Sequence, residues 1–104
     1  ELYLIRAEAR AQQEKLVESV ADVNAIRSRA GLEVRVAKSK AELLLAVENE
    51  RKIEFALEPH RWFDLVRTHR AASVLNISEP DRFLMPIPSV QLQTDKALIQ
   101  NPGY

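Results

Sequence analysis

With 104 residues, 46% of them hydrophobic, the chain can bury one modest core, and it reads as a single domain over positions 1–104. Its 15 Lys and Arg balance 15 Asp and Glu, so no net field draws it to nucleic acid or to an anionic membrane surface. It has no Cys, which removes disulfides and thiolate metal sites, and no apolar run long enough for a transmembrane helix.

The chain opens without Met on "ELYLIRAEARAQQ", inside a helical pattern already under way, and so reads as the C-terminal piece of a longer protein whose targeting signals lie elsewhere. As a helix this stretch puts Leu2, Ile5 and Ala9 on one side and Tyr3, Leu4, Ala7 and Ala11 on another. Two apolar sides require two neighbours, and the small residues at 7 and 11 permit the close approach seen in stacked helical hairpins. A turn is placed at 12–15. Leu16, Val20, Val23, Ile26 and Ala30 mark a second helix, with Arg27 inside its apolar arc and Gly31 suited to the position just past its end.

"LEVRVAKSK" alternates too briefly for more than a connector with a stub of strand. Ser39 and Glu42 fit a capping box that starts a third helix, which should run to Glu58 because Pro59 disfavours helical geometry just before itself. Pro59 in turn suits the first turn of a fourth helix, "PHRWFDLVRTHRAASVL". All five Pro fall at or after position 59, so the second half is broken up. Pro86 and Pro88 force an extended path, Ser89 is placed to cap one short helical turn, and "ALIQNPGY" should be an extended tail.

The third helix raises the question of chemistry. Its apolar face, Leu43, Ala46, Val47, Ile53 and Leu57, carries Glu50 and Glu54 in its middle. Residues four apart on a helix lie about 5 to 6 Å from each other, near the separation of about 5 to 5.5 Å that retaining glycosidases use. Those enzymes, however, place their carboxyls on opposite sides of the scissile bond, whereas these two project in parallel from one surface. No catalytic residue is therefore assigned. Neither H-E-x-x-H nor a Glu-x-x-His pair occurs, so no metal site and no cofactor is assigned either. His60 reads as a hydrogen-bonded or half-exposed side chain, and His69 as a surface residue facing a helix end.

A structural role for the carboxylates accounts for more residues at once. Arg27 lies in the second helix's apolar arc, and the fourth helix offers Arg61 and Arg67 beside Trp62. The expectation is a buried ion-pair cluster of Arg27, Glu50, Glu54 and Arg61, in which guanidinium groups satisfy carboxylates that would be costly to bury alone. Trp62 and Phe63, beside Leu65 and Val66, are expected as core aromatics instead of a sugar-stacking platform, and Tyr3 is expected to pack as well. Asn76-Ile77-Ser78 matches a glycosylation sequon, a triplet short enough to arise by chance.

The stretches "LYLIRAEA", "DVNAIRSRAGL", "NERKIEFALEPHRWFDLVR", "FLMPIP" and "QNPGY", in that order, resemble the C-terminal region of the SusD/RagB family over essentially the whole chain. The resemblance implies a mostly α-helical protein: a tetratricopeptide-like helical pair, further helices, and an extended Pro-containing tail. It implies an outer-membrane lipoprotein, lipid-anchored and surface-exposed through an N-terminal Cys, that captures oligosaccharides without hydrolysing them. Its partner would be a SusC-like TonB-dependent transporter. In the family the glycan is held largely by loops upstream of this region, so no glycan-binding residue is assigned here. The sequence departs from the family pattern at Pro59, where Gly is common, and at Asp95-Lys96, where Asn-Pro is frequent. From another class, the first two helices also suit a helical-repeat protein-protein interaction module.

Overall fold

A computed structural model describes residues 1–104. The chain is all-α, with no strand: α1 (Leu2–Gln12), α2 (Leu16–Arg29), α3 (Lys40–Glu54), α4 (Arg61–Arg67), α5 (Ala71–Leu75), a 3-10 turn (Pro80–Phe83) and α6 (Ser89–Thr94). It divides into two compact units, Glu1–Arg61 and Trp62–Tyr104.

In the first unit α1 and α2 form a helical hairpin. The link is short because α1 ends in a left-handed residue, Glu14 (φ 61), after which the Lys15 amide returns to the Arg10 carbonyl and that of Glu14 to Ala11. Ala7 and Ala11 carry no bulk, so α2 comes close enough for the buried Ser19 hydroxyl to donate to the Ala7 carbonyl at 2.6 Å. Above and below this contact lie two apolar clusters. One joins Ala7, Ala11, Val23, Leu43 and Val47, with Leu16, Val20, Ala37 and Leu44 partly buried against it; the other joins Leu4, Ile26 and Phe55. Each fully buried Leu or Val stabilises the fold by roughly 1.5 to 3 kcal/mol.

The same pairings fix direction. Leu4 meets Ile26 and Phe55, and Lys40 near the start of α3 reaches the Gln12 carbonyl at the end of α1, so α1 runs antiparallel to both α2 and α3. The latter two are therefore parallel, and the connector must travel back along the length of α2, about 21 Å for its 14 residues. That journey accounts for the stretch without helix at residues 32–37. They form no strand, because the partner that satisfies them is a side chain: Asn24 donates its amide to the Arg35 carbonyl (2.9 Å) and accepts from the Arg35 amide (2.7 Å).

Both helix boundaries around this connector follow from local chemistry. Gly31 (φ 71) closes α2 as expected, with the Leu32 amide on the Arg27 carbonyl and its own on Ser28. Ser39 caps α3 by accepting from the Glu42 amide, while the Glu42 carboxylate reaches back to the amide of Lys38, one residue before the cap.

The far end of α3 corrects the sequence reading. The helix stops at Glu54, four residues short of Glu58. Phe55, whose amide still bonds to the Arg51 carbonyl, is the last residue on the helical track and lies buried one turn past Arg51, against Leu4 and Ile26. Leu57 falls outside the helix and is fully exposed at 102%, and Ile53 is exposed as well, so neither joins the core face.

In the second unit, the expected continuous fourth helix is two short ones. The Arg70 amide bonds to the Leu65 carbonyl and that of His69 to Val66, a helix end with His69 in the left-handed conformation (φ 57). Leu65 and Ala71 are buried, whereas Phe63 is 66% exposed and Trp62 half-buried, its ring tilted against Phe83 at 6.4 Å. Phe63 is thus no core aromatic, because the face of α4 that is buried carries Asp64 and Leu65. Ser89 is the first residue of α6 and does not cap it; Pro88 occupies that position.

The tail differs from the expected extended run: it has no regular structure at 98–101 and turns at 102–103, and its polar side chains bond to the main chain of the Pro-containing segment. Gln100 accepts from the Ile87 amide (2.8 Å) and donates to the Ile87 carbonyl (3.0 Å). Asn101 donates to the Met85 carbonyl (2.7 Å) and the Tyr104 hydroxyl to that of Leu84 (3.0 Å).

Candidate functional site

Glu50 and Glu54 of α3 lie on the side facing α2, where helical periodicity set them, and each meets an arginine of that helix. Glu50, 5% exposed, is paired with Arg27 Nη1, while Arg27 Nε donates to the Glu33 carbonyl at 2.8 Å. One guanidinium thereby ties α2 to α3 and to the connector.

The four-member cluster does not form. Glu54 is paired with Arg29 of α2, and Arg61 Nη2 donates to Glu48 Oε1 at 3.1 Å. The physical reason is register. The two parallel helices advance together, so the carboxylate one turn beyond Glu50 meets the arginine beyond Arg27. Arg61, at the start of α4, meets the flank of α3. Arg67 pairs within its own helix, with Asp64 Oδ1 at 2.9 Å.

A second charged centre was not legible in advance. Asp22, 3% exposed, accepts from Arg6 Nε (3.0 Å), Arg6 Nη2 (2.7 Å) and Arg10 Nη1 (2.6 Å). The hydrogen bonds from Arg6, followed by those and the charge of Arg10, hold its carboxyl below the usual carboxylate range against the opposing effect of burial. The same contact raises Arg6. Its signal was present in the sequence: Asp22 and Ser19 sit beside Val23 and Ile26 on the α2 surface that meets α1, and Arg6 and Arg10 are one turn apart on α1.

The histidines do not converge with these acids. His60 is half-buried, with Nε2 3.1 Å from Glu58 Oε2 and its ring 5.1 Å from that of Phe55; His69 is exposed. The guanidinium of the buried Arg51 stacks over the Phe55 ring at 5.3 Å. No three His, Asp or Glu side chains come together, and no buried side-chain nitrogen or oxygen lacks a hydrogen-bond partner. Such an arrangement supplies neutralised, oriented charge. It holds the helices in register.

The remaining conspicuous surface is the outer side of α1. Leu2, Tyr3 and Ile5 are exposed there and, with Arg6, line an open apolar depression of about 460 Å³. Tyr3, expected to pack, instead carries the Arg6 guanidinium over its ring at 5.2 Å. Of the two apolar sides of this helix, only the one bearing Leu4, Ala7 and Ala11 is buried. No helix of the chain is long and apolar enough to cross a membrane.

Comparison with known proteins adds the following. The model of the SusD family matches residues 1–79. A SusD-like protein, P38, from Formosa agariphila is 32% identical over 116 aligned positions that take in the whole of this chain but 23% of the relative, so the chain spans about a quarter of that protein's length. No solved structure matches.

Proposed function

The chain belongs to the SusD family, and from that premise we propose that residues 1–104 are a single C-terminal domain of an outer-membrane glycan-capture lipoprotein. The full protein, lipid-anchored and exposed at the cell surface, binds oligosaccharides and delivers them to a SusC-like TonB-dependent transporter. This portion contributes helical framework; glycan contacts come from elsewhere in the polypeptide, and no hydrolysis takes place.

The family match over residues 1–79 carries the reading. The paired carboxylates agree with it, since Glu50, Glu54 and Glu48 each hold an arginine and none is free to act on a glycosidic bond. Calorimetric titration of the full-length protein with a panel of oligosaccharides, followed by an assay for new reducing ends, tests it. Binding with no new ends is the expected result; turnover overturns it. The open side of α1 favours a second reading, a helical-repeat module for protein-protein interaction. That reading gains if the full-length protein binds none of the sugars and instead retains a protein partner lost on Ile5→Glu.

A further inference from the structure

The last five residues hold on to the rest of their unit in an unusual manner. Pro86 and Pro88 have no amide hydrogen, which leaves one edge of the segment 84–88 without donors, and the segment's hydrogen bonds to residues 100–104 come from three side chains: Gln100, Asn101 and Tyr104. Gln100 takes a third bond, accepting from the Asn101 amide at 3.0 Å, which stiffens the strap at its root. Gly103 then lies flat on Asp81: its φ of +88 belongs to glycine, and a Cβ there would stand 3.0 Å from the Asp81 Cβ. Ile87, Gln100 and Asn101 are half-buried, whereas Leu84, Met85 and Tyr104 are exposed, so the bonds range from sheltered at one end to open at the other.

We propose that residues 100–104 form a strap that lifts from residues 84–87 as one piece, while the helices of the first unit stay folded. Three features support this. The bonds run from tail side chains to main-chain atoms, so their release undoes no helix. They are joined through Gln100 and Asn101, so losing one loosens the next. Both partners lie within Trp62–Tyr104, with no share in the apolar clusters of α1, α2 and α3. Lifting the strap bares the Ile87 amide and carbonyl and the Leu84 and Met85 carbonyls, polar groups otherwise covered by residues 100–104.

Amide hydrogen exchange on the full chain, read residue by residue by NMR, tests it. In Gln100→Ala the Ile87 and Asn101 amides should exchange about tenfold faster, with the amides of α1, α2 and α3 unchanged. In Gly103→Ala, which removes none of the Gln100 bonds but crowds Asp81, the Ile87 amide should also speed up. An Ile87 rate unmoved by Gly103→Ala overturns the single-piece release. Loss of protection in α1, α2 and α3 in step with Ile87 overturns its independence from the first unit.

Discussion

Arg27 and Glu50 form an ion pair whose side chains are both largely buried, 16% and 7% exposed respectively, and it joins two parallel helices. Removing one partner leaves the other's charge in a site that excludes water. Glu50→Ala is expected to cost about 3 kcal/mol or more, whereas Arg27→Met combined with Glu50→Leu should cost much less, because no charge is stranded. Urea melts of the two variants decide the point; equal losses would mean that packing alone sets the cost. Glu54→Ala should cost under about 1 kcal/mol, since its partner Arg29 is 64% exposed and returns to water.

Asp22 links stability to acid. Its carboxyl titrates below its ordinary value in the folded protein, chiefly through the Arg6 hydrogen bonds. The unfolded chain therefore binds the proton first. The stabilisation is complete above the ordinary carboxylate value near 3.8 and is lost as pH falls through the lowered folded value. Asp22→Asn should melt lower at neutral pH, by about 1 to 3 kcal/mol given that Arg6 and Arg10 are themselves partly solvated, and should show a flatter acid limb. Thermal melts from pH 7 to pH 2 compare the two proteins; superimposable acid limbs would refute the linkage.

Two helix ends use the same left-handed turn with different residues. At Gly31 a Cβ would meet nothing within 4 Å, so Gly31→Ala isolates the conformational cost, about 1 kcal/mol. At Glu14 the side chain already bears that strain, and its Lys40 contact at 3.3 Å is mostly exposed. Glu14→Gly should accordingly stabilise, by about 0.5 to 1 kcal/mol, with opposite shifts in melting temperature for the two variants.

Asn24 acts as the connector's missing strand partner. Asn24→Leu keeps the shape and removes both bonds to Arg35, so the Arg35 amide should exchange about tenfold faster and stability should fall by roughly 1 to 2 kcal/mol. An Arg35 amide that exchanges freely in the unaltered protein would contradict the role given to Asn24.

Periodicity and end signals sufficed for α1 and α2, for Gly31 and for the Ser39 cap, because each of these is written within a few neighbouring residues. They placed Glu50 opposite Arg27 as well, since both sit on apolar arcs. What they lacked was the register between helices. Whether Glu54 meets Arg27 or Arg29 depends on two helices running parallel, and that depends on a connector satisfied by the side chain of Asn24. The burial of Phe55 is likewise a matter of distant partners, since it packs against Leu4 fifty-one positions away. The break at His69 carries a weak sequence mark, because histidine, although enriched among non-glycine residues in the left-handed region, occupies most of its positions elsewhere. Asp22 escapes a helix-by-helix reading because both of its arginines, Arg6 and Arg10, lie on another helix.

The parallel course of α2 and α3 has a consequence for how the polypeptide is made. Synthesis proceeds at about 5 to 20 residues per second, so the α1–α2 hairpin emerges from the ribosome while Leu43 and Val47 are still held inside it. For that interval Ala7, Ala11 and Val23 have no lid, and the nascent chain presents a greasy cleft to anything nearby. The hairpin's apolar surface is thus satisfied only when α3 arrives to close it.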